Sequence, residues 1–410
     1  MARRLLLDLT RTVARAGRLT PGAIDRTERA WAARLSADPD ARFLVSAGPR
    51  HLLLDGDGAR ELTAALESGA ELPPADLRGA FSPWKTERQR RADSLARRLA
   101  LAMGEDLSAL IAGQPGAWTY LNMAQAQLDA ARLKALRAGG VRRAVAMAHD
   151  LVALERPELT RPTEPTRLLA FLAAAGLCDG LVYASRETAQ IAGRGLETPP
   201  PGRVAPPGVS PLPAPAGADA QDAAEATGAF VMLGAIEPRR NHLAMLWIWR
   251  RLWDELGDAA PRLFILGRRA SESEMVQDIL ERSPMAGRVV FERRDLSDAQ
   301  VAGRLSVACA LLAPSFAEGS GLAAAEALTL GCPVLAADIP ALRAAGGEAP
   351  EFIDPLDLPE WLEAILAYAH PGEGGADRRA AQLARIADWR PRPWAEHFAE
   401  VDDFLEEIGG

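Results

Sequence analysis

Cysteine and lysine are scarce in this chain of 410 residues, and both scarcities exclude kinds of chemistry. Its three cysteines, Cys178, Cys309 and Cys332, are far apart in apolar surroundings. We expect buried free thiols in a reducing cytoplasm, not a disulfide framework or a metal site. The only lysines are Lys85 and Lys134. The second half therefore has no lysine for a pyridoxal Schiff base, which excludes a pyridoxal-dependent phosphorylase.

Long apolar runs are also missing. None reaches the ~18–20 residues that a membrane-spanning helix needs. The N-terminus begins like a signal peptide, but its apolar stretch is only Leu5–Leu7 and ends at Asp8, so we expect no export. The five histidines are scattered, and we predict neither a metal site nor a cofactor. A hydrophobic content of 48% and a charged content of 25% are typical of a soluble globular protein.

Charge is distributed unevenly within a chain of net charge −8. Residues 1–200 carry 28 Lys and Arg against 23 Asp and Glu, whereas the remainder carries 19 against 32. The stretch Trp84–Leu99 concentrates the basic residues. It is predicted either to be an ordinary solvated helix face or to contact an anionic membrane or acceptor. No nucleic-acid partner is expected.

A composition change divides the chain near its middle. Thr198–Ala229 is rich in Pro, Ala and Gly and has almost no large apolar residue, so it is predicted to be an extended linker. At 410 residues we expect two domains. The predicted boundaries are residues 1–198, a linker over 199–229, residues 230–390, and a closing segment over 391–410.

Short apolar runs alternate with helical patterns, most regularly in the second half. This alternation predicts an α/β fold with doubly wound parallel sheets, whose ligands lie at the carboxyl ends of the strands. The predicted strands of the second half are Ala229–Ile236, Arg262–Gly267, Arg288–Arg293, Ala310–Ser315 and Pro333–Asp338. Those of the first half are Arg4–Thr10, Arg42–Ala47, Ala144–Asp150 and Gly180–Ser185.

The run PSFAEGSGLAAAEALTLGCPVLAAD, residues 314–338, contains two glutamates among small and apolar residues. Glu318 is predicted to lie in the loop after a strand, and Glu326 about two turns into the next helix. Gly319 and Gly321 let the backbone approach a ligand. The N–H groups at the helix start, over Ser320–Leu322, favour an anion such as phosphate. Carboxylates accept hydrogen bonds from hydroxyls, so a phosphate between two polyhydroxylated groups, a nucleotide sugar, fits this loop.

The same run resembles the E-x7-E signature of the family-4 retaining glycosyltransferases, which have the GT-B fold of two Rossmann-like domains facing a cleft. Two positions depart from the family pattern: Ser320 replaces an aromatic residue and Ala323 replaces a proline. The resemblance implies that Glu318 lies against the donor sugar and that Glu326 binds the ribose. The matching positions are Glu318, Gly319, Gly321, Leu322, Glu326, Ala327, Gly331, Pro333 and Val334.

MLGAIEPRRNH, residues 232–242, resembles the family's GxIEPRKNH. The resemblance implies that Arg239 and Arg240 neutralise the leaving diphosphate, because a guanidinium binds phosphate oxygens in a bidentate manner. The family has lysine more often at the second position, so which arginine contacts phosphate stays open. A basic turn without function is the alternative.

Three segments of the first half resemble a subgroup of the same family. Gly22, in an xGIDRxE turn, would face the cleft, with Asp25 as either a site residue or a local cap. His149, in an HDL segment, would touch the donor sugar, although a lone histidine is often a packed core residue. Gln125 replaces a family histidine in YLNxGHxxL, which leaves an acceptor role there in doubt.

The resemblance implies transfer of a sugar from a nucleotide diphosphate, without metal and with retained configuration, to a saccharide or lipid-linked acceptor. Residues 1–198 would bind the acceptor, residues 230–390 would bind the donor, and the closing segment would cross back to the first domain. The expected setting is surface polysaccharide synthesis in the cytoplasm, with possible peripheral contact at the inner membrane face. A degenerate scaffold protein and a sugar-nucleotide epimerase stay open as alternatives.

Overall fold

The computed structural model describes residues 4–17, 21–68, 70–77, 84–214, 223–270, 272–370 and 376–409. The chain divides into two units. The first consists of Met1–Leu151, Thr166–Pro207 and Ala395–Gly410. The second consists of Val152–Pro165 and Gly208–Trp394. None of the described helices is both long and apolar enough to cross a membrane.

The first unit is built on an eight-stranded sheet with the order β4-β3-β2-β1-β5-β6-β7-β8. Its pairs are parallel except β2 with β3 and β3 with β4. Because β1 lies inside the sheet, the strand order reverses between β1 and β5. The strands are β1 (Arg4–Asp8), β2 (Arg42–Ala47), β3 (Arg50–Leu54), β4 (Ala102–Gly104), β5 (Trp118–Asn122), β6 (Val141–Ala148), β7 (Gly180–Tyr183) and β8 (Gly202–Val204).

Helices follow most of these strands and bury their apolar faces against the sheet. In chain order the helices up to residue 195 are α1 (Thr10–Ala14), α2 (Ala23–Leu35), α3 (Gly56–Glu67), α4 (Glu87–Arg98), α5 (Leu107–Ala112), α6 (Ala130–Ala138), α7 (Val152–Glu155), α8 (Glu164–Ala175) and α9 (Arg186–Gly195).

The second unit is built on a six-stranded sheet that is parallel throughout, with the order β11-β10-β9-β12-β13-β14. The first strand, β9, lies in the middle, so the strand order reverses between β9 and β12. The strands are β9 (Phe230–Leu233), β10 (Leu263–Leu266), β11 (Val290–Arg293), β12 (Ala310–Ala313), β13 (Val334–Ala337) and β14 (Glu351–Ile353).

The remaining helices cover this sheet, apart from the last, whose residues from Ala395 onward belong to the first unit. They are α10 (His242–Leu256), α11 (Glu274–Arg282), α12 (Asp298–Val307), α13 (Leu322–Thr329), α14 (Pro340–Gly346), α15 (Leu358–Ala369), α16 (Ala376–Asp388) and α17 (Trp394–Glu407).

A buried histidine fixes the last helix within the first unit. Trp31 Nε1 donates to His397 Nε2 over 3.0 Å, and His397 Nδ1 lies 3.0 Å from the carbonyl oxygen of Ala205. Because a carbonyl only accepts, Nδ1 carries the proton and both ring nitrogens are satisfied. The ring therefore ties together α2, the chain after β8, and α17.

The range predicted to be linker contains ordered structure, and that prediction is wrong in part. Gly202–Val204 pairs in parallel with β7, and Ala205 is fully buried. A proline-rich segment can supply this strand because β8 is at the sheet edge, where only one side of the backbone needs partners. Residues 152–165, predicted to lie in the first domain, belong to the second unit. The sequence also predicts that Ser271, followed by Glu274, begins a helix with a capping box, but Ser271 lies outside the described residues.

Glu28, on α2, carries a fully buried carboxyl group. Neither of its oxygens has a hydrogen-bond partner among the described residues. Burial raises its pKa to about 8, so the group is neutral at pH 7. The folded state therefore holds this proton more tightly than the unfolded chain does, and Glu28 lowers stability as the pH rises from about 4.5 to about 8.

We predict that Glu28→Gln, which is neutral at every pH, raises the free energy of unfolding at pH 8 by about 1–3 kcal/mol. The gain should vanish at about pH 3, below the unfolded-state pKa of 4.5, where the wild-type carboxyl is protonated in both states. Urea unfolding at both pH values measures it, with Glu61→Gln on the exposed face of α3 as the matched control. An equal effect of Glu28→Gln at both pH values would contradict the buried neutral acid.

Candidate functional site

A pocket lies at the carboxyl ends of β9 and β12, where the strand order of the second unit reverses. This is the position at which open parallel sheets bind ligands. Apolar residues of the two strands form its floor, and polar residues of the loops that follow form its rim. The lining residues are Met232, Leu233, Arg240, His242, Leu311, Leu312, Ala313, Pro314, Ser315, Glu318, Gly321, Ala323, Ala324 and Leu342.

An ion pair bridges the two loops. Arg240, after β9, donates through Nη1 to Glu318 Oε1, after β12, over 2.8 Å. The same Oε1 accepts from the hydroxyl of Ser315 over 2.9 Å. Among the described residues, no donor reaches Oε2. The structure thus brings together two predicted site residues that are 78 positions apart and adds Ser315, which sequence reasoning missed.

Gly234 makes room for the arginine side chain. Its φ of +129° favours glycine, and a Cβ at this position would come within 2.6 Å of Arg240 Cζ. The guanidinium therefore lies across the end of β9, where Nη1 also reaches the Leu233 carbonyl oxygen over 3.3 Å.

The other arginine of the pair is directed elsewhere. Arg239 Nε donates to Glu237 Oε1 over 2.7 Å, and the Arg239 carbonyl accepts from the Phe316 amide over 2.8 Å. Arg239 thus joins the two loops through its backbone, while Arg240 lines the pocket. Of the two arginines, Arg240 is the one that lines this pocket, and which of them contacts phosphate stays a prediction.

The helix after Glu318 starts as predicted, with a glycine in the left-handed conformation. Gly321 caps α13 with φ +63°, and a Cβ on it would come within 2.8 Å of Ala345 Cβ. Gly319 and Ser320 form the half-buried loop before it, and Leu322 is the first helical residue. Amides at a helix start have no intrahelical acceptor and favour anions.

Glu326, predicted to bind ribose, lies on the second turn of α13 and is 4% exposed. It does not line the pocket described above. Its predicted role therefore stays a prediction.

His242, the first residue of α10, is a further lining residue that sequence reasoning did not assign. It is 2% exposed, and Nδ1 has no hydrogen-bond partner among the described residues. Burial, with the nearby Arg240 charge, lowers its pKa to about 3, so the ring is neutral. The sequence signal that could have identified His242 is its position directly after Asn241, which follows the two arginines.

His149, in the first unit, follows β6 and is 3% exposed. Its Nε2 lies 2.8 Å from the Met123 carbonyl oxygen, so Nε2 carries the proton and Nδ1 is an acceptor. Nδ1 has no partner among the described residues. Burial lowers the pKa of His149 to about 4, which keeps the ring neutral at physiological pH.

Gln125, which replaces a family histidine, holds the His149 loop. Its Oε1 accepts from the amides of His149 over 2.7 Å and of Asp150 over 3.1 Å, and its Nε2 donates to the Asp150 carbonyl over 2.8 Å. Gln125 is 2% exposed and has φ +49°. It therefore has a positioning role in the loop after β6.

Gly22 caps α2 in the first unit, and its amide donates to Asp25 Oδ2 over 3.0 Å. Arg11 and Arg15 lie 3.1 Å and 2.8 Å from Asp25 Oδ1. Their charges and the Gly22 bond outweigh burial and lower the pKa of Asp25. Of the two alternatives left open for Asp25, the local cap with ion pairs is the one observed.

The basic stretch predicted either as an ordinary helix face or as a contact with a membrane or acceptor contains α4, and two arginines of this helix pair with carboxylates of the first unit. Arg91 pairs with Glu71 over 2.6 Å and with Glu87 over 2.5 Å. Arg97 pairs with Asp76 over 2.6 Å. These pairs favour the alternative of an ordinary helix face.

Comparison with known proteins finds matches to part of the chain. Residues 227–370 match the family described as Glycosyl transferases group 1. The chain is 31% identical over 154 residues to the serotype-specific mannosyltransferase WbdA of Escherichia coli. That alignment covers 36% of this chain and 18% of WbdA, so the chain spans less than a fifth of that relative.

Two solved structures share the fold over nearly the whole chain. Sucrose-phosphate synthase from Thermosynechococcus elongatus gives a TM-score of 0.61 at 15% identity and covers 99% of both chains. WaaG, a glycosyltransferase involved in lipopolysaccharide biosynthesis, gives 0.55 at 14% identity, over 94% of this chain and 95% of its own. The predicted GT-B fold is confirmed. The match of residues 227–370 is to glycosyl transferases group 1, and the resemblance to the family-4 retaining enzymes stays a prediction.

We predict that His149 and His242 make the protein less stable in mild acid. In the unfolded chain both rings take up a proton near pH 6.5, whereas the buried rings do so only near pH 4 and pH 3. Stability is therefore lost progressively as the pH falls below about 6.5. The thermal unfolding midpoint should drop between pH 7 and pH 5, and less so in His149→Asn and His242→Asn. The same drop in both variants would contradict the assignment.

Proposed function

We propose that the chain, whose residues 227–370 form a domain of the glycosyl transferases group 1 family, is a retaining glycosyltransferase of family 4. It transfers a sugar from a nucleotide-diphosphate donor to a hydroxyl group of a saccharide or lipid-linked acceptor. The observation that carries the proposal is the Arg240–Glu318 pair beside the glycine-capped start of α13, at the strand-order reversal of the second unit.

The donor is bound by positively charged groups and by carboxylates that lie at neighbouring positions. Arg240 and the amides around Ser320 and Leu322 bind the diphosphate, and their positive ends stabilise the charge that develops as it leaves. This electrostatic stabilisation needs no divalent ion. Glu318 accepts a hydrogen bond from a hydroxyl of the sugar, and Glu326 binds the ribose. Arg239 supports the loop that presents Arg240.

The first unit supplies the acceptor side. His149 offers an unprotonated Nδ1, which accepts a hydrogen bond from a hydroxyl of the donor sugar. Gln125 holds the backbone on which His149 is carried, and Gly22 lies in the loop before α2. The departing diphosphate takes the proton of the attacking hydroxyl, because none of these residues is an evident nucleophile or base.

The names of the relatives support a narrower proposal. WbdA is described as a mannosyltransferase and WaaG as a glycosyltransferase of lipopolysaccharide biosynthesis. We therefore propose mannose as the first sugar to test and a surface polysaccharide as the product. Such an acceptor would bring a cytoplasmic enzyme to the inner face of the membrane, although Arg91 and Arg97 of α4 already pair within the first unit.

We predict that the wild type hydrolyses or transfers from one member of a panel that contains GDP-mannose and UDP-glucose. Glu318→Ala should reduce that rate at least ~100-fold, the usual scale for losing a group that acts on the transition state. A donor present at 100 times its Kd should also stabilise the fold by about 2.7 kcal/mol in a thermal shift assay.

The matched control is Glu351→Gln, which removes a partly buried carboxylate that pairs with Arg378 away from the pocket. It should retain activity. Nucleotide binding by the wild type without turnover on any acceptor would favour the scaffold alternative. Epimerised donor without transfer would favour the epimerase alternative.

A further inference from the structure

We infer that Glu318 competes internally with the diphosphate for Arg240, so that the pocket selects a diphosphate that carries a sugar over a free nucleoside diphosphate. The inference rests on the proposed function and adds a basis for its specificity. The competition is an exchange of hydrogen-bond partners at the Arg240 guanidinium and involves no covalent step.

The geometry places the carboxylate where an anionic ligand would compete with it. Arg240 Nη1 donates to Glu318 Oε1 over 2.8 Å, and Gly234 holds the guanidinium across the end of β9. A phosphate oxygen that binds the same N–H group must displace a carboxylate oxygen that already neutralises it. The free-energy cost of that displacement depends on which hydrogen-bond donors replace Arg240 around Glu318.

Glu318 cannot replace the hydrogen bond from Arg240 by hydrogen bonds from water, because its carboxylate is poorly exposed. Its side chain is 9% exposed, and the second donor to Oε1 is the hydroxyl of Ser315, which is itself 1% exposed. A buried carboxylate that loses its cation is strongly destabilised. A sugar attached to the diphosphate supplies hydroxyl donors to Glu318 in place of the guanidinium. A free nucleoside diphosphate has hydroxyls only on its ribose, which in the proposed function binds Glu326, and none beyond its terminal phosphate.

Arg239, the neighbouring arginine, does not take part in this competition. Arg239 is paired through Nε with Glu237 over 2.7 Å, and its side chain does not line the pocket. Arg240 Nε also lies 3.6 Å from Glu237 Oε1, so removing Glu318 leaves that longer ion pair in place but frees the Nη1 group that faces the pocket. One consequence is that the product diphosphate binds more weakly than the donor, because after transfer the Arg240–Glu318 pair can form again.

The test compares each donor with its matching diphosphate, GDP-mannose with GDP and UDP-glucose with UDP, by isothermal titration. The wild type should bind the active donor at least ~10-fold more tightly than its diphosphate, since about 1.4 kcal/mol separates the two at that ratio. Glu318→Gln keeps the size of the side chain and removes its charge. It should bind the diphosphate at least ~3-fold more tightly than the wild type does, which is the gain expected on losing a charged competitor.

Glu318→Ala should also bind the diphosphate more tightly than the wild type does. This second variant controls for effects that are specific to the glutamine side chain. Glu351→Gln is the matched control and should leave both affinities unchanged. Circular dichroism melting establishes that each variant is folded before titration.

Three outcomes would overturn the inference. If both Glu318 variants bind the diphosphate no more tightly than the wild type, Glu318 does not compete for Arg240. If the wild type transfers sugar yet binds donor and diphosphate equally, the proposed function stands and the inference alone fails. If the wild type binds no nucleotide of the panel, both fail.

Discussion

The ion pair between Arg240 and Glu318 is the interaction on which the candidate site depends. It joins the loops after β9 and β12, the two strands between which the order of the sheet reverses. An ion pair with so little exposure to solvent needs further hydrogen bonds to offset part of its desolvation cost. Ser315 supplies a second donor to the carboxylate, and Gly234 leaves the space that the guanidinium needs. The pocket therefore presents one cation and one anion side by side, which suits a ligand with a phosphate next to hydroxyls.

In the first unit, burial and hydrogen bonding fix the protonation state and the position of His149. His149 is held neutral, with Nδ1 as an acceptor, because its Nε2 proton is used by the Met123 carbonyl. Gln125 fixes the backbone of that loop with three hydrogen bonds. Such a neutral ring does not titrate near pH 7, so its function would be hydrogen bonding and not proton transfer. This agrees with a reaction in which the leaving group itself accepts the proton.

Local sequence signals predicted the local part of the site. Gly321 directly precedes the first residue of α13, at the helix start that was predicted, and the apolar run before Glu318 forms β12. The pairing of Glu318 with Arg240 could not be predicted, because it joins residues 78 apart whose approach depends on sheet order. Gln125 was interpreted as the loss of a family histidine, since the backbone groups that it binds lie in the loop after β6, distant from it in sequence. β8 was missed because composition does not show that an edge strand tolerates neighbouring prolines.

The most direct test of the account is a crystal structure of the protein with an intact, non-transferable analogue of its nucleotide-sugar donor. The account predicts that the diphosphate contacts Arg240 and the amides at the start of α13, and that Glu318 accepts a hydrogen bond from a sugar hydroxyl. A donor bound elsewhere, with the Arg240–Glu318 pair still formed, would contradict it.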